Sequence, residues 1–363
     1  MTSNIAKKIK TTLSKEELEY IKQISAYAQK ERFPLYLVGG IIRDLFLNSP
    51  INDFDITVVG NGIKLAKNIT NNSQASLQTH ERFITATLNW NNFSCDIVTA
   101  RSEIYSTEGA LPIIKPASIE LDLLRRDFSI NAIACSINQN DFGNVIDPVN
   151  GIEDINNKLI RILHPKSFLD DPTRIIRALR YAAKFQFQFE KETENKLQIA
   201  IKKKKLNLIS KERIRNELWK TFKEKKSLQI IEFFQQYEIF ENIFPPLQNI
   251  NFSKINNLVA AKNITIDTIL DYIGYSLKNI ECMDFIKKLN LNKNLKNRLL
   301  NINRIKEYEA NITTSQSELR STLNRLKLNI TSIENLISFS TKNTKVKTEI
   351  LKYYQELKQT LCQ

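Results

Sequence analysis

Two aspartates one residue apart, Asp53 and Asp55, lie in the apolar run NDFDITVV. In a strand, side chains alternate faces, so both carboxylates point one way while Phe54 and Ile56 point the other. Like charges on one face repel unless a cation sits between them, and no basic residue adjoins this pair in the sequence. A divalent ion is the partner the spacing asks for, and carboxylates shared with phosphate oxygens are the usual setting of Mg²⁺. A third carboxylate, Asp96 in FSCDIVTAR, occupies another β-type run. Paired beside the first strand, it would join Asp53 and Asp55 to hold two ions, one activating a hydroxyl nucleophile and one steadying a pyrophosphate leaving group. A strand-edge aspartate with no role in chemistry is the plain alternative for Asp96.

Thirteen residues before Asp53, the pair Gly39-Gly40 separates the strand-like LYLV from the helical IIRDLFL. Glycines without Cβ atoms let the backbone approach a triphosphate, and the helix start adds N–H donors and a positive dipole end. Arg43 is then expected to face the phosphates. In DDPTRIIRALRYAAKF, Asp171 and Arg174 are three apart. On a helix they share a face and could offer one acceptor and one donor to a flat base edge. Cytosine and adenine both present an amino donor beside an unprotonated ring nitrogen, whereas uracil and guanine reverse that order. Such a pair would accept C and A and leave mismatched polar groups with U and G. A surface ion pair is the competing explanation.

These groups need elements to hold them. Ser14-x-x-Glu17 reads as a capping box ahead of the apolar positions Leu18, Ile21 and Ile24. Strand-like segments follow at 35–38, 53–59, 83–89, 93–99 and 131–137, separated by Asn/Gly turns. Seven of the eight glycines fall within the first 151 residues, and after Gly151 the pattern turns to helical periodicity with Lys/Asn-rich faces. Pro245-Pro246 marks a break between helical parts. The fold expected is α+β, with a mixed-sheet head at 1–150 and an all-helical remainder divided into 151–225 and 226–363.

Composition supports the division. Of the 363 residues, the first 150 carry 15 Lys+Arg against 16 Asp+Glu, and the rest carry 38 against 23, so the net charge of +14 is entirely C-terminal. A phosphate-rich partner held by the back half is the implication. KKKK at 202–205 and KKLNLNKNLKNR at 287–298 are candidate contacts for such a phosphate backbone, with a plain solvated face as the alternative for each. No apolar stretch of about 20 residues occurs, and the polar, basic start MTSNIAKKIK has no apolar run behind it, so a soluble, cytoplasmic protein away from membranes is expected. Cys95, Cys135, Cys282 and Cys362 lack CxxC spacing and read as reduced thiols. The two histidines, His80 and His164, leave the back half without the ligands of a histidine-dependent metal phosphohydrolase.

LVGGIIRD with DFD, LLRRDFSINAIA at 123–134, IDPVNGIEDINNKLIR at 146–161, DDPTRIIRALRYAAKF at 170–185 and SKERIRNEL at 210–218 stand in one order. Together they resemble the class II tRNA nucleotidyltransferase and bacterial poly(A) polymerase family over residues 33–220. The resemblance implies a polymerase-β-like nucleotidyltransferase head followed by a helical neck, body and tail. It makes Asp53 and Asp55 the metal pair and Arg125, Arg126, Asp127 and Asn131 the grip on ribose and phosphates. It places Asp171, Arg174, Arg177 and Arg180 along the nucleotide-binding helix. Asp170 stands where the family usually has glutamate. Ser210 would cap a bracing helix in which Glu212 and Arg213 are structural. The expected activity is addition of C and A to the 3′ end of tRNA from CTP and ATP with Mg²⁺. CC-only, A-only and poly(A) addition are the rivals within the family, and a non-catalytic RNA-binding protein is the rival outside it. The segment between Arg101 and Arg125 corresponds to a region thought to help switch from C to A addition.

Overall fold

The computed structural model describes residues 4–51, 53–259, 264–310, 316–326, 328–339 and 344–361. Cys362 lies outside them. The chain divides into two compact units, one of residues 1–174 with 185–200 and one of 175–184 with 201–363.

The first unit opens with α1 (Ala6–Thr12) and α2 (Lys15–Glu31). The Ser14 hydroxyl accepts from the Glu17 N–H while the Glu17 carboxylate accepts from the Ser14 N–H, so the expected capping box starts α2. There follow β1 (Leu35–Val38), α3 (Gly40–Phe46), β2 (Asp55–Val58), α4 (Gly62–Asn71), β3 (Ser76–His80), β4 (Thr85–Asn89) and β5 (Ser94–Thr99). Next come the hairpin strands β6 (Arg101–Ile104) and β7 (Ile113–Pro116), then α5 (Ile119–Leu124), β8 (Ala134–Ser136) and β9 (Val145–Ile146). The unit continues through α6 (Gly151–Asn156), β10 (Leu159–Ile160), α7 (Ser167–Asp170), the start of α8 (Thr173–Phe185), β11 (Gln188–Phe189) and most of α9 (Lys191–Lys202).

Seven strands form one mixed sheet in the order β3-β4-β5-β2-β1-β8-β9, in which β2 and β5 run parallel and every other pair antiparallel. The central strands are apolar because both faces are covered: Leu35, Leu37, Val38, Ile56 and Val58 are all buried. β5 alternates instead, burying Cys95, Ile97 and Thr99 and exposing Ser94 and Asp96. The five expected strands are present, with the stretch expected at 131–137 beginning in a 3₁₀ turn at Ser129–Asn131. The hairpin β6–β7 and strand β3 carry no strong apolar alternation and were not foreseen. The stretch after Gly151 is not wholly helical, since β10 and β11 pair in parallel.

The second unit holds residues 175–184 of α8, then α10 (Lys211–Phe222), α11 (Ser227–Gln236), α12 (Ile239–Ile243), α13 (Lys254–Leu258), α14 (Ile266–Ser276), α15 (Asn279–Lys288), α16 (Lys293–Ala310), α17 (Gln316–Leu326), α18 (Ile330–Phe339) and α19 (Thr344–Leu361). Pro245-Pro246 opens a 3₁₀ turn after α12, as a proline pair must when it denies the next turn its N–H donors. Ile302, Ile305, Leu323, Ile333, Leu336 and Ile350 build a buried core among α16–α19. No helix among the described residues is long and apolar enough to cross a membrane.

Candidate active site

Strand registers bring the quoted motifs to one end of the sheet. β1 runs into Gly39, and its antiparallel neighbour β2 begins with Asp55, one step beyond the pairing of Leu37 with Ile56. β5 lies parallel to β2 with Asp96 directly beside Asp55. On the other flank, Gly39 donates its N–H to Ile133 O at 3.0 Å, which fixes the residues leading into β8, Arg125 to Asn131, at the same end.

Asp53 precedes the strand and is exposed; Asp55 is half-buried at its start. Asp96 accepts from Thr87 Oγ1 at 2.6 Å across the β4–β5 pairing. Burial pushes the Asp55 carboxyl above its ordinary value, and the charges of Asp96 and Asp53 add to that, while Arg126 and Arg43 only partly offset it. Among the described residues this crowded carboxylate makes no direct ion pair, and the two arginines leave its charge only partly offset, so the donor set suits a divalent ion. Among the described residues no three carboxylate, imidazole or thiol groups close into a metal cage. The expected three-carboxylate cage is therefore not preformed, and an ion here would draw further oxygens from phosphate or water, as Mg²⁺ commonly does.

Gly39 has φ +78° and caps α3, a backbone state that L side chains avoid. A Cβ there would stand 2.6 Å from Arg126 Nη1, whereas a Cβ on Gly40 would meet only Arg43 Nη2, at 3.6 Å. The turn is thus shaped around Arg126. Arg43 corrects the sequence reading: it is buried, its Nη1 donates to Asn131 Oδ1 at 2.6 Å, its Nε donates to Asp44 Oδ1 at 2.9 Å, and it stacks 4.7 Å from the Phe185 ring centroid. It braces the turn and does not face an open phosphate site. Asn131 in turn donates to Asp127 Oδ1 at 3.0 Å, so both are locked within the fold.

Asp122, which sequence reasoning passed over, organises the two adjacent arginines. Wholly buried, it accepts from Arg125 Nη2 at 2.7 Å, from Arg126 Nη2 at 3.0 Å and from the Arg101 N–H at 3.0 Å. Burial alone would raise its pKa; Arg126 and Arg125 reverse that and hold it below the ordinary value. Arg125 is further held by Glu103 Oε1 at 2.9 Å, so it too is a brace here and no open ligand for a nucleotide. Glu103 escaped notice because it sits on the unforeseen hairpin; it also accepts from Tyr105 Oη at 2.8 Å. The motif at 146–161 supports this segment from below. Asp154 binds Ser129 Oγ at 2.5 Å and Arg161 Nε at 2.9 Å, and a Cβ on Gly151 would collide with Ser129 O at 2.1 Å.

The base-reading pair also differs from expectation. α8 begins at Thr173, so Asp171 stands before the helix in extended backbone and the two side chains do not share a helical face. Asp171 Oδ1 accepts from Thr173 N–H at 3.0 Å and from Thr173 Oγ1 at 2.6 Å, which makes it a cap of α8. Arg174 is buried, with its guanidinium fixed by Ser167 Oγ at 2.7 Å and Arg125 O at 2.8 Å. Asp170 lies 3.9 Å from His164 Nδ1.

Within the second unit, Arg180, expected along the nucleotide-binding helix, is a buried ion-pair partner: it donates to Glu217 Oε2 at 2.7 Å. Arg177 approaches Glu217 Oε1 at 4.0 Å and donates to Tyr181 Oη. Ser210 caps α10 as foreseen, but the brace in that motif is Glu217, with Arg215 donating to Leu289 O at 3.1 Å, while Glu212 is exposed. Lys202 to Lys204, Lys287, Lys288, Lys293 and Lys296 are exposed, and α16 lines a polar groove of about 1390 Å³ with Asn294, Asn297, Arg298, Asn301 and Arg304.

Residues 35–161 match the family described as the poly A polymerase head domain, and residues 186–250 match the one described as a probable RNA and SrmB-binding site of polymerase A. The chain is 37% identical over 213 residues to an A-adding tRNA nucleotidyltransferase of Aquifex aeolicus, covering 59% of this chain and 26% of that protein. It is 40% identical over 185 residues to the A-adding enzyme of Halalkalibacterium halodurans, covering 51% and 43%. The chain thus matches less than half the length of these curated relatives. Other matches are named CC-adding and CCA-adding. Among solved structures, the Thermotoga maritima CCA-adding enzyme complexed with tRNA aligns over 98% of this chain and 85% of its own, with TM-score 0.72 and 27% identity. Further solved CCA-adding enzymes are described as complexes with ATP and with CTP. With the ordered motifs, the head and RNA-binding segments and this shared architecture, the chain belongs to the tRNA nucleotidyltransferase and poly(A) polymerase family.

Proposed function

We propose that this chain is a template-independent nucleotidyltransferase that adds C and A residues to the 3′ end of tRNA from CTP and ATP. The carrying observation is the meeting of the Gly39 turn, Asp55 beside Asp96, and Arg126 at one end of the head sheet. The RNA 3′-oxygen attacks the α-phosphorus, the bond to the β-phosphate breaks, and pyrophosphate departs. Asp53 and Asp55 would hold Mg²⁺, which when bound makes the hydroxyl more acidic and offsets phosphate charge. Arg126 supplies positive charge beside the turn, and Arg43, Asn131 and Asp127 keep that turn rigid. Arg174, held by two oxygen acceptors, and Asp171, held by its own cap, form the base-reading edge. The basic helical unit holds the RNA backbone.

A second reading, addition of A alone, is favoured by the names of the two relatives above. Incubation with Mg²⁺ and tRNA transcripts ending before CCA, after CC and after CCA, with each nucleotide alone and all four together, separates the readings at single-nucleotide resolution. Completion of every end to CCA followed by arrest supports the first; extension only from CC supports the second. A long A tail would make the chain a poly(A) polymerase, and no product with any transcript would overturn the proposal.

A further inference from the structure

Among the described residues of the head, Arg126 is the candidate phosphate ligand whose guanidinium is gripped from one side and makes no hydrogen bond on the other. Its Nε and Nη2 donate to Asp122 Oδ2 at 3.3 and 3.0 Å, while its Nη1 makes no hydrogen bond among the described residues and reaches the Gly39 turn. The acceptor is a carboxylate with no solvent exposure on a short helix, α5, four residues earlier in the chain. Its other oxygen is saturated by Arg125 and by the Arg101 N–H, so the carboxylate itself cannot rotate. A planar guanidinium held at two nitrogens by a fixed acceptor has its third nitrogen aimed as well. A lysine at this position would keep the charge and lose the aim.

We propose that Asp122 is a positioning residue for nucleotide binding: it presents Arg126 Nη1 at the glycine turn, where it meets the triphosphate. The inference rests on the function proposed above for this end of the sheet. It concerns a residue that would touch no substrate, acting wholly through Arg126.

The test is a double-mutant cycle read as equilibrium binding of ATP and CTP by calorimetry, so that it does not depend on turnover. Asp122→Asn keeps shape and turns one acceptor into a donor facing an arginine; we expect about a tenfold weaker nucleotide affinity, roughly 1.4 kcal/mol. Arg126→Ala should lose at least as much. The double variant should bind no more weakly than Arg126→Ala, because Asp122 has nothing left to aim. Arg126→Lys should resemble Arg126→Ala. Equal losses from Asp122→Asn with and without Arg126 would overturn the inference and leave Asp122 a packing residue, as would full affinity in Arg126→Lys, which needs no change at Asp122. Wild-type protein that binds ATP yet extends no RNA would defeat the proposed function while the cycle still decides the role of Asp122. Wild-type protein that binds neither ATP nor CTP would defeat both.

Discussion

Alanine at Gly39 and alanine at Gly40 should have opposite effects on stability and should separate folding from ligand binding. At Gly39 the backbone sits at φ +78°, ψ −118°, outside the left-handed helical well that asparagine or aspartate tolerate. Forcing an L residue into such a state costs about 1–3 kcal/mol. The added methyl would also displace Arg126, whose Nη1 lies 2.6 Å from the Cβ position. Gly40 opens α3 without positive φ, and its Cβ would make ordinary contact with Arg43 Nη2 at 3.6 Å. There alanine restricts the unfolded chain and should stabilise by about 0.4–1 kcal/mol. The two variants should therefore differ by roughly 1.5–4 kcal/mol, each kcal/mol moving the melting temperature by about 2–4 °C in a unit of this size. Thermal unfolding measures that difference, and ATP titration measures the rest: if triphosphate lies against this turn, Gly40→Ala should bind at least about tenfold more weakly despite melting no lower than wild type. Equal melting of the two variants would refute the strain argument, and unchanged affinity in Gly40→Ala would refute the cradle.

Asp55→Asn should abolish nucleotide incorporation while leaving tRNA affinity, measured by filter binding, close to wild type; in metal-free buffer it should also melt higher, by about 0.5–2 kcal/mol of stability, because burial and the charges of Asp96 and Asp53 disfavour a carboxylate charge that the amide does not carry. Asp171→Asn keeps an oxygen to cap α8, so its melting temperature should hold while discrimination of C and A against U and G relaxes; unchanged discrimination would leave Asp171 as a cap and nothing more. Glu217→Gln should destabilise by about 3 kcal/mol in urea unfolding at pH 7, since buried Arg180 keeps its charge without its partner. Burial alone would raise the Glu217 pKa, but Arg180, Arg177 and Lys220 hold it below its ordinary value of 4.5, so the pair's contribution is fully present above about pH 4.5 and disappears as pH falls through the lower folded value. The gap between wild type and Glu217→Gln should close in that acid range; a gap constant down to pH 3 would contradict the assignment.

What could be read in advance was whatever depends on local chemistry. The Ser14 capping box, the strands at Leu35–Val38 and Ser94–Thr99 and the turn at Gly39 follow from neighbouring residue types, and the structure holds each where the pattern put it. The pairing of Asp55 with Asp96 was legible only as a condition, because strand order is set by packing over forty residues of chain and not by the motif itself. The arginines were misread for a related reason. Arg43, Arg125 and Arg180 have the type and spacing of phosphate ligands, yet each is taken by a carboxylate or amide whose position depends on tertiary folding: Asn131, Asp122 with Glu103, and Glu217. An arginine in a nucleotide-binding motif therefore has two competing fates, and sequence spacing does not choose between them. The count of buried acceptors within reach does. Arg126 shares its anchor with Arg125 and, among the described residues, keeps Nη1 without a hydrogen bond beside the Gly39 turn, which is why the proposed triphosphate contact falls to it and not to Arg43 or Arg125.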